Sequence, residues 1–253
     1  MLSRRAIVFA PLLAAGACRR RRGTGFPGFA FVANRGGDAL AAVDLGNFTL
    51  TRHIALGAAP SQVAANQKRR CVYAITPENG AVHEIDAGAL SLRRRARPGG
   101  EVISISVPPS QDAVWALCRQ PDQLVRLAGD SFRASARHRL ASAGLEFALS
   151  PDGLLAAVSH GREGLLTVVD LGGNKVMRSV RVGEHTGVLR FRSDGRQIFV
   201  GDVVRRLVVV VDAYTGRVIT NLPVALRPQH FCLKPDGGEL FVTGEGMDAV
   251  AII

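Results

Sequence analysis

The amino-acid sequence predicts an all-β fold made of repeated modules, and three columns of recurring residues carry this prediction. In the first column, a tetrad that begins at Phe31 returns every 42 residues without insertion or deletion. Its later copies begin at Tyr73, Trp115, Ala157, Phe199 and Phe241. The second column holds Asp44, Asp86, Asp170 and Asp212, and the third holds Asp152, Asp194 and Asp236. Periods of about 40–45 residues with four short strands each are typical of a β-propeller, so we predict four-stranded antiparallel blades.

One module of the repeat shows how strands A to D follow from the residues. Glu146–Leu149 predicts strand A and leads into a Ser-Pro-Asp-Gly turn, in which Pro presets φ and Gly supplies a positive φ. Apolar runs at Leu154–Ser159 and Leu165–Asp170 predict the central strands B and C. The alternating segment Val176–Val182 predicts the outer strand D.

Strand A also carries two apolar columns, two residues apart. The first column holds Val63, Ile105, Phe147, Leu189 and Phe231. The second holds Ala65, Val107, Leu149, Phe191 and Leu233. Because alternate residues of a strand point to the same face, the two columns predict one buried face on every blade.

The first 25 residues predict a targeting segment rather than part of the fold. Ser3–Arg5 is a basic start, and Ala6–Ala17 is a 12-residue, mostly apolar run that is too short to span a bilayer. Small residues then precede Cys18, which resembles a bacterial lipoprotein leader whose Cys becomes the lipidated N-terminus. Cleavage without lipidation and an uncleaved cytoplasmic chain are the alternatives. Without this segment the net charge falls from +11 to +5, because it holds six arginines and no acidic residue.

The frame of the repeat predicts an incomplete propeller over residues 26–253. The chain enters at strand B of the first blade, at Phe29–Asn34, and Ile253 falls inside strand C of the sixth. We expect five to six blades here and seven in a full-length protein, because an open propeller leaves unpaired strand edges.

These motifs resemble the YVTN-repeat family of YncE-like β-propellers. The tetrads at residues 31–34 and 241–244 match the family's Tyr-Val-Thr-Asn core. Ser150–Gly153 and Lys234–Gly237 match its Ser-Pro-Asp-Gly turn. The resemblance covers about residues 26–253. It implies seven blades, an extracytoplasmic location and, for most members, no established enzymatic role.

Polar residues around one end of the predicted ring are the candidate ligand site. The D–A linkers, the B–C loops and the channel mouth share this rim, and loops on a rigid scaffold often carry binding residues. The ligand candidates are Gln62, Glu146, His160, His185, Asp202 and His230. We predict a non-catalytic binding scaffold whose partner is a protein, a glycan or a small ligand. Ordinary solvated loop tips are the alternative reading of this surface.

Motifs for catalysis and metal binding are absent from the sequence. It contains no H-E-x-x-H, C-x-x-C or G-x-S-x-G pattern, so we predict no catalytic residue, no metal ligand and no cofactor. Cys71, Cys118 and Cys232 fall on predicted strands of different repeats, which predicts buried free thiols. Two rival functions stay open. One is a propeller hydrolase or lactonase assisted by a metal ion at the channel mouth, and the other is a structural or adhesion module of the cell envelope.

Arginines on two neighbouring outer strands predict a basic flank. They are Arg93, Arg94, Arg95, Arg97, Arg133, Arg137 and Arg139. Such a flank suits anionic lipid or polysaccharide, and a solvated edge strand that resists aggregation is the alternative. Membrane contact through a lipid anchor is also expected. We predict no nucleic-acid partner, because the leader indicates export and no aromatic ladder accompanies the arginines.

Overall fold

Six antiparallel sheets follow one another along residues 26–109 and 111–253, the residues that the structure, a computed structural model, describes. Four of these sheets have four strands, and the first and last have three. The predicted leader and the lipidation candidate Cys18 lie outside the described residues.

The strands follow the order of the chain within each blade. Blade 1 contains β1 (Phe29–Asn34), β2 (Ala39–Asp44) and β3 (Thr49–Ala55), with a 3-10 helix at Arg35–Gly37. Blade 2 contains β4 (Gln62–Asn66), β5 (Cys71–Thr76), β6 (Ala81–Asp86) and β7 (Ser91–Ala96), with a 3-10 helix at Pro77–Asn79. Blade 3 contains β8 (Glu101–Ser106), β9 (Ala113–Arg119), β10 (Gln123–Ala128) and β11 (Ala134–Arg139).

The remaining blades repeat this arrangement. Blade 4 contains β12 (Glu146–Leu149), β13 (Leu155–Ser159), β14 (Leu165–Asp170) and β15 (Lys175–Arg181). Blade 5 contains β16 (Thr186–Phe191), β17 (Gln197–Asp202), β18 (Leu207–Asp212) and β19 (Val218–Pro223). Blade 6 contains β20 (Arg227–Leu233), β21 (Leu240–Glu245) and β22 (Ala251–Ile252).

The predicted incomplete propeller is confirmed, and strand bounds in blade 4 agree closely with the sequence prediction. The predicted strands A and C of that blade are β12 and β14 residue for residue, and strands B and D differ by one residue. The first blade begins at strand B, as predicted from the frame of the repeat. Periodicity located these strands because every blade packs against its neighbours with the same spacing of strands along the sequence.

The hydrophobic core consists of five apolar layers, one between each pair of consecutive blades. For example, Val72 and Ala74 of β5 pack in the layer shared with blade 1, whereas Tyr73 and Ile75 pack in the layer shared with blade 3. Side chains alternate between the two faces of a strand, so β5 is buried on both of its faces. This double burial explains why strands B and C are almost continuously apolar.

The column of aspartates marks the turn between strands C and D. Asp86 Oδ1 accepts hydrogen bonds from the backbone N–H of Gly88 at 2.8 Å and of Ala89 at 2.7 Å. The same turn is closed by Asp44, Asp170 and Asp212. Just before it, the pairing of strands C and D shifts at the same repeat position in five blades, at residues 42/43, 84/85, 126/127, 168/169 and 210/211. The repeat therefore preserves a β-bulge as well as the strands.

The Pro-Asp-Gly and Ser-Asp-Gly motifs form the predicted turns between strands A and B. In blade 5, Asp194 Oδ1 accepts the N–H of Arg196 at 2.9 Å, and Gly195 adopts a φ of +71°, which favours glycine. Blade 2 lacks this motif and closes its turn differently. There Asn66 Oδ1 accepts the N–H of Arg69 at 3.1 Å, and Arg70 adopts a φ of +50°.

The three cysteines in the described residues are free thiols on strands, but only two of them are buried. Cys71 and Cys118 are enclosed in the layer between blades 2 and 3, and burial raises the pKa of the Cys118 thiol to about 12. The prediction of burial is wrong for Cys232, which is exposed. Its position on β20 points toward the central channel rather than into an apolar layer.

We expect Asp86→Asn to destabilise the protein at neutral pH. Backbone N–H donation from Ala89, then the Arg93 guanidinium at 2.5 Å and the N–H of Gly88, hold the pKa of Asp86 at about 2. A carboxyl whose pKa is lower in the folded than in the unfolded state stabilises the fold above its unfolded pKa, about 3.9. Urea unfolding should show the largest gap between wild type and variant above pH 5, shrinking as the pH falls toward 2.

The matched control for this substitution is Asp248→Asn, which removes the same charge from an exposed residue. Its unfolding free energy should follow wild type across the pH range. A gap between wild type and Asp86→Asn that persists undiminished at the acid end would contradict the role of the Asp86 carboxylate.

Candidate ligand site in the central channel

The inner strands of blades 2 to 6 surround a channel that is mainly polar at one end and mainly apolar at the other. Two cavities of about 240 and 450 Å³ open along it, and both are lined by Ser106, Arg190 and Phe231. The smaller cavity lies at the starts of the inner strands, beside the D–A linkers, and the larger one lies at their A–B turns. They are therefore the two ends of one channel.

One residue per blade forms a ring at the channel mouth. These residues are 42 apart in the sequence: Gln62, Ser104, Glu146, Val188 and His230. Gln62 Oε1 accepts the backbone N–H of Ile105 at 2.8 Å, and Ser104 Oγ donates to Glu146 Oε1 at 2.8 Å. Each of these hydrogen bonds joins two neighbouring blades, so the ring fixes its own side chains relative to the axis.

Arg190 is a candidate ligand residue that sequence reasoning missed. It lies two residues after Val188, and its exposed side chain lines both ends of the channel. Within residues 26–109 and 111–253, its guanidinium makes no hydrogen bond or ion pair, not even with Glu146 of the same cavity. The signal was available in the repeat, because Arg190 is the charged member of a column otherwise made of Ala64, Ser106, Ala148 and Cys232.

His160 lies within its blade rather than on the open rim. Its ring is 5% exposed, and Nε2 lies 2.8 Å from Thr167 Oγ1. Nδ1 lies 3.0 Å from Ser142 Oγ and 3.2 Å from the Ala143 carbonyl oxygen. Burial lowers the pKa of His160, which favours the neutral ring. Both ring nitrogens are therefore occupied: Nδ1 joins the blade to the preceding linker, and Nε2 bonds within the blade.

Blade 2 contains the same histidine–threonine contact with the two residues exchanged. Thr76 occupies the repeat position of His160, and His83 occupies that of Thr167. Their side chains meet at 2.9 Å between Thr76 Oγ1 and His83 Nε2, and burial above all lowers the pKa of His83 to about 4. An exchange of partners at matching positions indicates that the contact supports the blade structure.

Of the remaining candidates, Asp202 and His185 contact loops and linkers, and the other three lie at the channel mouth. Asp202 is fully buried, and its carboxylate accepts the N–H groups of Glu184 at 2.8 Å and of Val204 and Arg205 at 3.1 Å. His185 is half-buried beside Gly161 in the linker between blades 4 and 5.

Gln62, Glu146 and His230 are the candidates that the structure brings together, at the channel mouth. In the part of the chain that the structure describes, no three His, Cys, Asp or Glu side chains converge in a way that could hold a metal ion. None of the helices among these same residues has the length and apolar character of a membrane span.

Comparison with solved structures supports the fold. Hydrazine synthase from Kuenenia stuttgartiensis aligns with a TM-score of 0.77 at 17% identity, over 89% of this chain and 80% of that chain. A functionally unknown protein from Desulfotomaculum acetoxidans DSM 771 aligns with a TM-score of 0.77 at 12% identity, over 89% and 74%. A chain of the mitotic checkpoint complex aligns with a TM-score of 0.74 at 16% identity, over 86% and 68%.

These identities establish likeness of fold alone. No family model matches the sequence, and no curated protein matches it. The structural neighbours are β-propeller-like folds, which agrees with the blades described above.

We expect the double substitution His160→Thr with Thr167→His to rebuild in blade 4 the contact that blade 2 already contains. Each single substitution leaves a buried polar group without its partner and should lower the unfolding free energy by about 1–3 kcal/mol. The double variant should recover more than half of the summed loss, as a double-mutant cycle by urea unfolding would show.

The control is His53→Thr, which makes the same exchange at an exposed histidine of β3 and should leave stability near wild type. A double variant whose loss equals the sum of the two single losses would contradict a direct histidine–threonine contact.

Proposed function

We propose that this protein is a non-catalytic binding scaffold that works outside the cytoplasm, carried there by its leader and held at the membrane through Cys18. The propeller fold supports a binding role in general, because a rigid ring of blades positions side chains around its axis. The repeat motifs and the leader support membership of the YVTN-repeat family and export.

The observation that carries the proposal is a pair of opposite charges in one cavity that do not neutralise each other. Arg190 and Glu146 both line the smaller cavity, and no ion pair joins them. One Glu146 oxygen accepts from Ser104, and the other oxygen has no partner among the described residues. His230 adds an exposed ring to the same wall.

A ligand that fits this arrangement carries both an anionic group and a hydrogen-bond donor. The guanidinium of Arg190 matches a carboxylate through two parallel hydrogen bonds. The free oxygen of Glu146 accepts from an amine or hydroxyl at the other end of the ligand. We therefore propose a small polar ligand of the amino-acid or sugar-acid class, held in the channel mouth.

We expect the protein to bind at least one of two probes, L-glutamine and D-glucuronate, with a rise in melting temperature and saturable heats in calorimetry. Arg190→Gln and Glu146→Gln should each weaken that binding by about tenfold or more, because each removes a charge-assisted contact. Arg205→Gln, which removes one charge from an exposed loop of the same blade, should bind like wild type. Absence of binding by both probes would reject this ligand class.

The membrane location has a separate test. Cells that express the full chain and are fed radiolabelled palmitate should yield a labelled protein in the membrane fraction, and Cys18→Ala should lose both the label and the membrane association. Unlabelled wild-type protein in the soluble periplasmic fraction would show export without lipidation. Wild-type protein that stays in the cytoplasm would reject export itself.

A further inference from the structure

A groove lined by four arginines crosses the outer edge of blades 2 and 3. The groove has a volume of about 290 Å³, and its lining includes Arg95, Arg97, Arg133 and Arg137. No aspartate or glutamate lines it. We call this feature the arginine groove; it is separate from the central channel, and nothing about it depends on the channel ligand.

The groove has a fixed apolar floor. Leu127 and Phe132 line it between the arginines and are buried. The Phe132 ring stacks on Tyr73 of the neighbouring blade, with ring centroids 5.9 Å apart and planes inclined by 11°. Arg94 covers the same ring, with its guanidinium carbon 5.1 Å from the centroid. The floor therefore spans the junction of the two blades.

Two of the four arginines are held in place by backbone oxygens. Arg95 Nη2 donates to the Leu56 carbonyl at 3.0 Å, and Arg137 Nη1 donates to the Pro98 carbonyl at 3.0 Å. Arg97 and Arg133 are exposed and make no side-chain hydrogen bond or ion pair with any described residue. The groove thus combines two positioned cations with two that are free to bind.

The neighbouring arginines show that the shortage of acidic partners is specific to the groove. Buried Glu84 pairs with Arg94 and with Arg93, at 3.5 Å for the latter, and Asp86 pairs with Arg93 at 2.5 Å. Arg69 pairs with Asp112 at 2.9 Å. The carboxylates of Glu84, Asp86 and Asp112 are therefore occupied by Arg69, Arg93 and Arg94. Asp130, also on this flank, accepts the N–H of Ser131 and does not line the groove, so the charges of the lining residues have no acidic partner there.

The uncompensated charge of the groove also acts on a histidine inside blade 2. After burial itself, Arg95 and Arg97 are the causes that lower the pKa of His83, which lies on β6 beside the outer strand β7. A positive potential at the groove opposes protonation of that ring.

We propose that the arginine groove binds phosphate groups. Several guanidinium groups without a carboxylate favour an anion with more than one negative charge, and their planar forks match tetrahedral phosphate oxygens. A single carboxylate offsets only one of the four positive charges. The phosphate comes either from a soluble phosphate compound or from the headgroup of an anionic phospholipid, and the position of the groove on an outer edge makes both accessible.

The experiment uses the full chain in a Cys18→Ala background, so that a lipid anchor does not contribute to vesicle binding. Inorganic pyrophosphate, measured by calorimetry, is the soluble probe. Phosphatidylcholine vesicles with and without phosphatidylglycerol, measured by co-sedimentation, are the lipid probe. The double variant Arg97→Gln with Arg133→Gln removes the two unpaired charges, and we expect it to bind the probe roughly 10- to 30-fold more weakly than the parent chain does. Binding by the parent chain should weaken as the salt concentration rises.

The matched control is Arg52→Gln with Arg217→Gln, which removes two exposed arginine charges from blades 1 and 5. It should retain wild-type affinity for the probe that binds. If the groove variant, but not the control, loses pyrophosphate binding, the ligand is a soluble phosphate compound. If the groove variant loses only its binding to phosphatidylglycerol vesicles, the ligand is a lipid headgroup. Equal losses in both variants, an unaffected groove variant, or no binding of either probe by the parent chain overturns the proposal.

Discussion

Burial of the apolar blade faces against neighbouring blades is the constraint on which the rest of this structure depends. A single antiparallel sheet of four short strands cannot remove its two apolar faces from water by itself. Here each of blades 2 to 5 shares an apolar layer with the sheet before it and another with the sheet after it, whereas blades 1 and 6 each share one such layer among the described residues. The layers fix the spacing of the modules, and an unbroken 42-residue period is the consequence in sequence.

The same constraint decides which polar side chains are available for binding. The last residue of each tetrad stands where strand B leaves the sheet, and in blades 4 and 5 its side chain bonds to the B–C loop or to the preceding linker. The polar groups of His160 and Asp202 are therefore occupied by local hydrogen bonds, although the sequence predicts both as ligand residues of the rim. Strand A differs because one of its edges borders the channel, so that Glu146, Arg190 and His230 project into open space. The candidate ligand residues of the channel therefore come from the inner strands.

The charged surfaces follow a similar logic on the outer strands. Arg93, Arg94 and Arg97 are close neighbours in sequence, yet the first two meet Glu84 and Asp86 whereas Arg97 meets no carboxylate. Strand alternation and the bulge at Arg93 within β7 turn these side chains in different directions. In this run of arginines, Arg93 and Arg94 are thus neutralised and support the blade, whereas Arg95 and Arg97 are uncompensated and line the arginine groove.

The sequence by itself determined the blade architecture, the strands of blade 4 almost to the residue, and the Ser-Asp-Gly turn at Gly195. These features depend on spacing and on local backbone chemistry, which a linear pattern contains in full. It also pointed to Gln62, Glu146 and His230, because their column is visible in the repeat. Only the tertiary structure decided that His160 and Asp202 are occupied, that Cys232 is exposed, and that Arg190 is unpaired in the channel. The contacts of His160 with Ser142 and of Asp202 with Glu184 join residues 18 positions apart, and the hydrogen bond from Ser104 to Glu146 joins residues 42 positions apart. The repeat pattern of the sequence does not specify such contacts.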